Sequence, residues 1–329
     1  MMHRIHVPLT YNEFMLLKLF SYCRTIRELS RRSNLPFSTV YKTLERLKTK
    51  AFFRFIPDFR MMNLIFVFAL FDEKTEALRE NSFTICQGRL IGKRSFVFMI
   101  FLLPFTFLDI FLKSLEEKPF ILVKGLEINT WKYEQNLFYF DYTRNFLNIN
   151  LEDILELYPK YSQKLSKWKP SYDAPDVIDI GIVLSKYRKP FGKVYTLIKM
   201  LRAYDPSFPL ISRQVLSYHY TKHVLEKYWL FNTIFFKTEQ FQALYFEGDE
   251  THIIGRILVK IPYLHYSLID SGRSVVVGSF PAQEIEKIRY VISKFNVSMP
   301  LGVLSSSFNE ICFRTPRLWR YIRDKKWCW

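Results

Sequence analysis

Residues Thr25–Ile56 read TIRELSRRSNLPFSTVYKTLERLKTKAFFRFI. In the middle of this stretch Phe37, Val40, Tyr41, Leu44 and Leu47 recur at the three-and-four spacing of one helix face. That face is expected to be core. The other side carries Ser38, Thr39, Lys42, Thr43 and Arg46, hydroxyls and cations of the kind that reach base edges and phosphates from a helix in a major groove. Ahead of it, Ile26 and Leu29 predict a shorter helix, and Ser33-Asn34-Leu35-Pro36 a tight turn, with Ser38 able to cap the next helix. Behind it, Ala51–Ile56 is aromatic and alternating enough to be the first strand of a wing. The unit reads as a winged helix-turn-helix.

Charge adds to this reading. Within residues 1–60 the acids Glu13, Glu28, Glu45 and Asp58 face a much larger set of cations, of which Arg31, Arg32, Lys48, Lys50 and Arg54 are expected to contact the phosphates of DNA. The whole chain of 329 residues has a formal charge of +17 and a pI near 9.6. A polyanion is therefore the default partner, nucleic acid before an acidic membrane surface. The four cysteines, Cys23, Cys86, Cys312 and Cys328, form no CxxC pair, which gives no zinc or disulfide framework and suits a reducing cytoplasm. The start, MMHRIHVPLTYNE, lacks the apolar run of a signal peptide. Phe96–Leu112 is nearly uncharged but holds Pro104 and Asp109, and it falls short of the roughly 18 to 20 apolar residues of a span. A buried strand, a break and an amphipathic helix account for it, and no membrane partner is expected.

Outward from the opening stretch, residues 11–23 predict a supporting helix. From Leu64 the periodicity changes: LIFVFALF strand, DEKTEALREN helix, SFTICQGRLI and SFVFMIFLL strands, FTFLDIFLKSLEEK helix, PFILVKGLEI strand. The order βαββαβ is the ferredoxin-like plan. Asn129–Tyr142 continues the last strand or adds an edge, Leu151–Leu157 reads as helical with Glu152, Asp153 and Glu156 on its wet side, and a polar, Pro-punctuated stretch follows as a linker. The plan then repeats. Val177–Leu184, Gly192–Arg202 and Ser212–Lys227 predict three helices and Tyr228–Phe236 a wing. In the third helix Leu216, Tyr220 and Val224 point inward and Gln214, Ser217, Tyr218, Thr221 and Lys222 outward. A second βαββαβ series runs from FQALYFEG to NVSMPLGVLSSSF. The expected fold class is α+β, an internal duplication in which two winged helix-turn-helix domains alternate with two ferredoxin-like domains. The expected boundaries are 1–62, 63–142, a linker 143–176, 177–238, 239–313, and a basic-aromatic tail 314–329. The tail either contacts nucleic acid or docks on its own chain.

A winged helix-turn-helix followed by a βαββαβ module resembles the Lrp/AsnC family of transcription regulators, and the doubled layout looks like a tandem archaeal member. The resemblance implies sequence-selective binding of double-stranded DNA through Ser38–Lys50 and Ser212–Lys227. It also implies ferredoxin-like sheets that pack together, as a homodimer or an intramolecular pseudodimer, with effector binding in that module. The scattered Gly88, Gly92, Asp270, Gly272 and Gly278 specify no effector.

His219 and His223 share a helix face but have no third ligand near in sequence, so no metal is expected. Siroheme decarboxylases look like Lrp/AsnC proteins too, and His252, His265, Arg256 and Arg273 are the groups available for a tetrapyrrole site. A two-headed replication initiator of a plasmid or virus would share the charge and the duplicated heads. Walker A, GxSxG and HExxH sequences are absent, so neither an enzyme nor a cofactor is expected.

Overall fold

A computed structural model describes residues 4–73, 81–165 and 168–329. The chain opens with strand β1 (Arg4–Pro8), followed by helices α1 (Tyr11–Phe20), α2 (Ile26–Ser33) and α3 (Phe37–Lys50) and strand β2 (Ala51–Pro57). Thr25 starts α2 by accepting the Glu28 N–H at 3.1 Å, and Asn34, in the left-handed region at φ 54°, ends it. Helix α3 starts after Pro36 without a side-chain cap, so Ser38 lies within its first turn and is not the cap expected of it. The buried strip of α3 runs Val40, Thr43, Leu44, Leu47. Phe37 and Tyr41, expected inside, lie on its flank at 50% exposure each, and Thr43, expected outside, lies within.

Strands β3 (Leu64–Asp72), β4 (Thr84–Ile91) and β5 (Ser95–Pro104), helix α4 (Leu108–Ser114) and strand β6 (Ile121–Lys124) form the first sheet module, ordered β6-β3-β5-β4. The helix expected between β3 and β4 falls on 74–80, outside the described residues. Strand β3 is buried on both faces, so it reads as an unbroken apolar run. Strand β7 (Glu127–Thr130) comes next, then β8 (Phe138–Asp141), β9 (Phe146–Asn150) and helices α5 (Leu151–Leu155) and α6 (Tyr158–Tyr161). The stretch expected as a linker therefore begins as folded structure. Leu147 and Ile149 alternate inward on β9, which pairs with β1 and β8 in a separate three-stranded sheet packed on α1.

The second half begins with helices α7 (Val177–Tyr187) and α8 (Val194–Tyr204), then α9 (Arg213–Tyr218), which Ser212 caps and which widens into a π-helix over His219–Tyr228. Strand β10 (Trp229–Phe236) follows. Gly181 lets α7 close on the next turn: a Cβ there would meet the Phe208 ring at 2.3 Å. Neither β2 nor β10 belongs to a wing hairpin of its own. They pair with each other, antiparallel from Trp229↔Pro57 to Phe236↔Ala51, as a ribbon joining the two helical heads. Phe53, Ile234 and Phe236, on one face of the ribbon, are buried in the core that also takes in α1 and α3.

Strand β11 (Gln240–Glu247), helix α10 (Thr251–Leu258), strands β12 (Leu264–Asp270) and β13 (Arg273–Gly278), helix α11 (Ile285–Ile292) and strand β14 (Val303–Ser307) form the second sheet module, ordered β14-β11-β13-β12. Each module places its strands in the order fourth, first, third, second. The modules merge into one sheet at two equivalent seams. At one, β4 meets β14 and the short β15 (Cys312–Phe313) after it. At the other, β12 meets β7, which continues β6 past Gly125-Leu126. The sheet thus closes on itself. Phe68, Phe98 and Phe241 stack inside it.

The tail is docked. Leu318, Trp319 and Trp327 are buried, the Trp327 indole donates to the Met62 carbonyl at 3.0 Å, and a small hairpin of β16 (Ile322–Arg323) and β17 (Lys326–Trp327) ends the fold. Among the described residues no helix is long and apolar enough to cross a membrane.

Candidate functional site

The third helix of each head is the element on which the sequence places DNA contacts. On α3, Ser38 and Lys42 are exposed and Thr39 is half-buried at the edge of the same face. On α9 and its π-helical extension, Gln214, Ser217, Tyr218, Thr221 and Lys222 are all exposed, because Leu216 and Val224 anchor the opposite side. Some of these groups are engaged locally. The Thr221 hydroxyl donates to the Ser217 carbonyl at 2.8 Å, and Lys222 pairs with Glu226 at 3.3 Å.

Several cations assigned to phosphate contact are held by the fold. Glu13 has no exposed surface, and its carboxylate takes Arg46 Nε at 2.9 Å and Lys50 Nζ at 2.9 Å. Burial would raise the Glu13 pKa, but hydrogen bonds from Lys50, the Thr10 N–H and Arg46 outweigh it and hold the carboxyl below its usual range. Arg46 and Lys50 therefore lock α3 onto α1. Lys48 pairs with Glu45 and Arg32 with Glu28, both at the surface, while Arg31 is exposed. Thr43 is buried and removed from any contact surface. Arg54 is displaced most: it faces inward from β2 into a cavity beneath the ribbon.

This cavity, with an interior of ≈ 70 Å³, lies between the ribbon, helix α7 and the closed sheet. Arg54 donates to the Phe53 carbonyl at 3.0 Å and lies 5.1 Å from the Phe52 ring centre, 5.7 Å from Tyr187 and 5.9 Å from Phe235. Arg188 reaches the same space from the end of α7, 5.0 Å over the Phe313 ring. Among the described residues no carboxylate pairs with either guanidinium. Burial is the main cause that pushes both pKa values down, and Arg188 adds to the effect on Arg54. His265 forms another wall, its ring stacked on Phe235 at 4.7 Å and its Nε2 placed 2.6 Å from the Phe236 carbonyl. Burial lowers its pKa to about 4, so the imidazole is neutral near pH 7 and donates through Nε2. Cys86, Tyr187 and Tyr266 complete the polar lining, with the thiol and phenol pKa values raised by burial.

Two guanidinium groups set among aromatic faces, Arg54 half-buried and Arg188 exposed at the mouth with a bond to the Arg314 carbonyl at 3.3 Å, are placed to meet an anion. The lining offers aromatic faces and, at its mouth, two cationic hydrogen-bond donors. It offers no paired carboxylates and no activated nucleophile. Of the four residues named for a tetrapyrrole site, His265 alone lines the cavity. Arg256 is held by Glu127 at 2.7 and 2.6 Å, His252 is half-buried with its ring near the Ser162 carbonyl, and Arg273 is exposed on β13. Tyr187, Arg188 and Phe235 were not singled out from sequence. The cavity draws on segments remote from one another in the chain, and no local pattern marks them.

No protein-family model and no curated protein matches the sequence. Among solved structures, the crystal structure of the siroheme decarboxylase NirDL is similar over 90% of each chain, at 10% identity and a TM-score of 0.37. The expectation that enzymes can be set aside is corrected on this finding, because the matched structure is that of an enzyme. At that TM-score the likeness assigns neither fold nor activity to this chain.

Proposed function

We propose that this protein is a DNA-binding regulator of Lrp/AsnC-like layout, with two winged-helix-type heads and two ferredoxin-like modules that act as an internal pair. The observation that carries the reading is the surface of the two third helices. Ser38 and Lys42 on one, and Gln214, Ser217, Tyr218, Thr221 and Lys222 on the other, face solvent and not the chain's own core. A charge of +17 supports a nucleic-acid partner. Binding of double-stranded DNA should weaken with salt by a slope of roughly 0.9 per neutralised phosphate. A selection of bound genomic fragments, followed by titration of the enriched site against random DNA at several salt concentrations, tests this. A flat salt response or no enriched sequence defeats it.

The cavity favours a second reading, that of a siroheme-decarboxylase-like tetrapyrrole enzyme. Arg54 and Arg188, flanked by rings and without a carboxylate partner among the described residues, suit an anionic ring system. Mixing the protein with siroheme and recording the absorbance spectrum tests it; an unperturbed spectrum at excess protein removes it. The same cavity serves the regulator reading as an effector site for a smaller aromatic anion.

A further inference from the structure

The structure brings a third ligand to His219 and His223. It comes from another helix. Asp179, in the first turn of α7 and 3% exposed, places Oδ1 2.8 Å from His219 Nδ1 and Oδ2 3.1 Å from His223 Nδ1. The two imidazole centres are 4.6 Å apart, and the three donor atoms lie within 4.8 Å of one another. We infer that Asp179, His219 and His223 form a binding site for a transition-metal dication of the zinc class, closed by water on its outer side.

The geometry is close to what coordination requires. Metal–ligand bonds of about 2.0 to 2.2 Å in a tetrahedron set donor atoms roughly 3.3 Å apart. The two His–Asp separations, one to each carboxylate oxygen, are within about half an ångström of that, so an ion entering between them displaces the bridging protons with small side-chain shifts. The donor set of two imidazoles and one carboxylate suits Zn²⁺, Co²⁺ or Ni²⁺ and not the oxygen-seeking Ca²⁺ or Mg²⁺. Access is present, since the side chains of His219 and His223 are 13% and 27% exposed while the carboxylate is covered. No lysine or arginine among the described residues pairs with Asp179, so no fixed cation already fills the role of the ion.

The helix itself is adapted at this point. The α9 helix widens into its π-helical stretch at His219, the first ligand, and irregularities of this kind recur at functional sites. The ion would tie α7 to the helix that presents Ser217, Tyr218, Thr221 and Lys222. It would thereby fix the tilt of the outer face of the second head. This inference does not depend on what that face binds.

The test uses the full chain, stripped with a chelator and titrated with Co²⁺ and with Zn²⁺. The expected result is one ion per chain, a visible Co²⁺ absorption of tetrahedral strength, and a raised unfolding temperature. His223→Ala and Asp179→Asn should each weaken binding by roughly tenfold or more, while His252→Ala leaves it unchanged. Equal affinity in His223→Ala and the parent, or no saturable binding by the parent, overturns the inference. Should a variant misfold, X-ray absorption on the Zn²⁺-loaded parent decides: two imidazole nitrogens in the coordination shell support the site, and a shell without them refutes it.

Discussion

Arg320 grips Asp205 through two nearly parallel hydrogen bonds, Nε to Oδ2 at 2.9 Å and Nη2 to Oδ1 at 2.8 Å, and so fastens the tail to the turn after α8. The bond from Arg320 is the main reason the Asp205 pKa falls to about 2. A carboxyl depressed in the folded state contributes stability that is complete above the unfolded value near 3.8 and is lost as pH falls toward 2. Because Arg320 is 42% exposed its charge is screened, and the pair is worth about 1 to 2 kcal/mol. Asp205→Asn should lower stability by that amount at pH 7 and by little at pH 2, measured by urea unfolding at both.

Lys186 shows the opposite sign. It is 2% exposed, donates to the Gly192 carbonyl at 3.1 Å, lies 4.8 Å over the Tyr220 ring and has no acid partner among the described residues. Burial lowers its pKa to about 8 from the usual 10.5. The unfolded chain therefore binds more protons between those values, and the penalty, complete below pH 8, is relieved as pH rises through that window. Lys186→Met should raise stability at pH 7 by about 1 to 3 kcal/mol and by much less at pH 10. Thermal unfolding of both proteins across that range provides the comparison.

Arg46 and Lys42, one turn apart on α3, should separate structure from recognition. Removing Arg46 strips one of two cations from buried Glu13 and should cost about 1 kcal/mol of stability. Lys42 is exposed with no ion pair among the described residues, so Lys42→Ala should leave the unfolding temperature in place and lower the salt slope for DNA by about 1. Unfolding scans alongside binding isotherms at several salt concentrations read both. Loss of stability in the Lys42 variant contradicts the assignment.

The cavity arginine gives a fourth expectation. Arg54→Met removes a guanidinium that has no carboxylate partner among the described residues and keeps its bulk, so the ligand-free protein should be as stable or more stable, by up to about 2 kcal/mol. Binding of an aromatic polycarboxylate, followed by quenching of tryptophan fluorescence, should fall at least tenfold, the scale of one lost charge-assisted hydrogen bond. Unchanged affinity would place the ligand elsewhere.

Much of the second head could be read from the chain, because Leu216 and Val224 at helical spacing fix which side of the helix is wet. On α3 the same logic slipped at three positions. Aromatic Phe37 and Tyr41 look like core and Thr43 like surface, yet the geometry of the supporting helices selects 40, 43, 44 and 47. The strand character of Ala51–Ile56 was local and legible, whereas its partner β10 lies far along the chain and could not be named from alternation. Arg54 was miscast for that reason: its surroundings depend on the pairing. Asp179 was invisible as a companion of the histidines, since only the packing of α7 on the third helix brings them together.

At Gly125-Leu126 the polypeptide steps from pairing with β3 in the first module to pairing with β12 in the second, with the Gly125 amide still bonded to the Phe66 carbonyl at 2.8 Å. The step gives each module a strand paired to the other's sheet. The molecule is its own counterpart. A fragment ending before residue 177 would bare the outer amides of β4 and β7, and would either clump or recapture the missing half when the two pieces are made together.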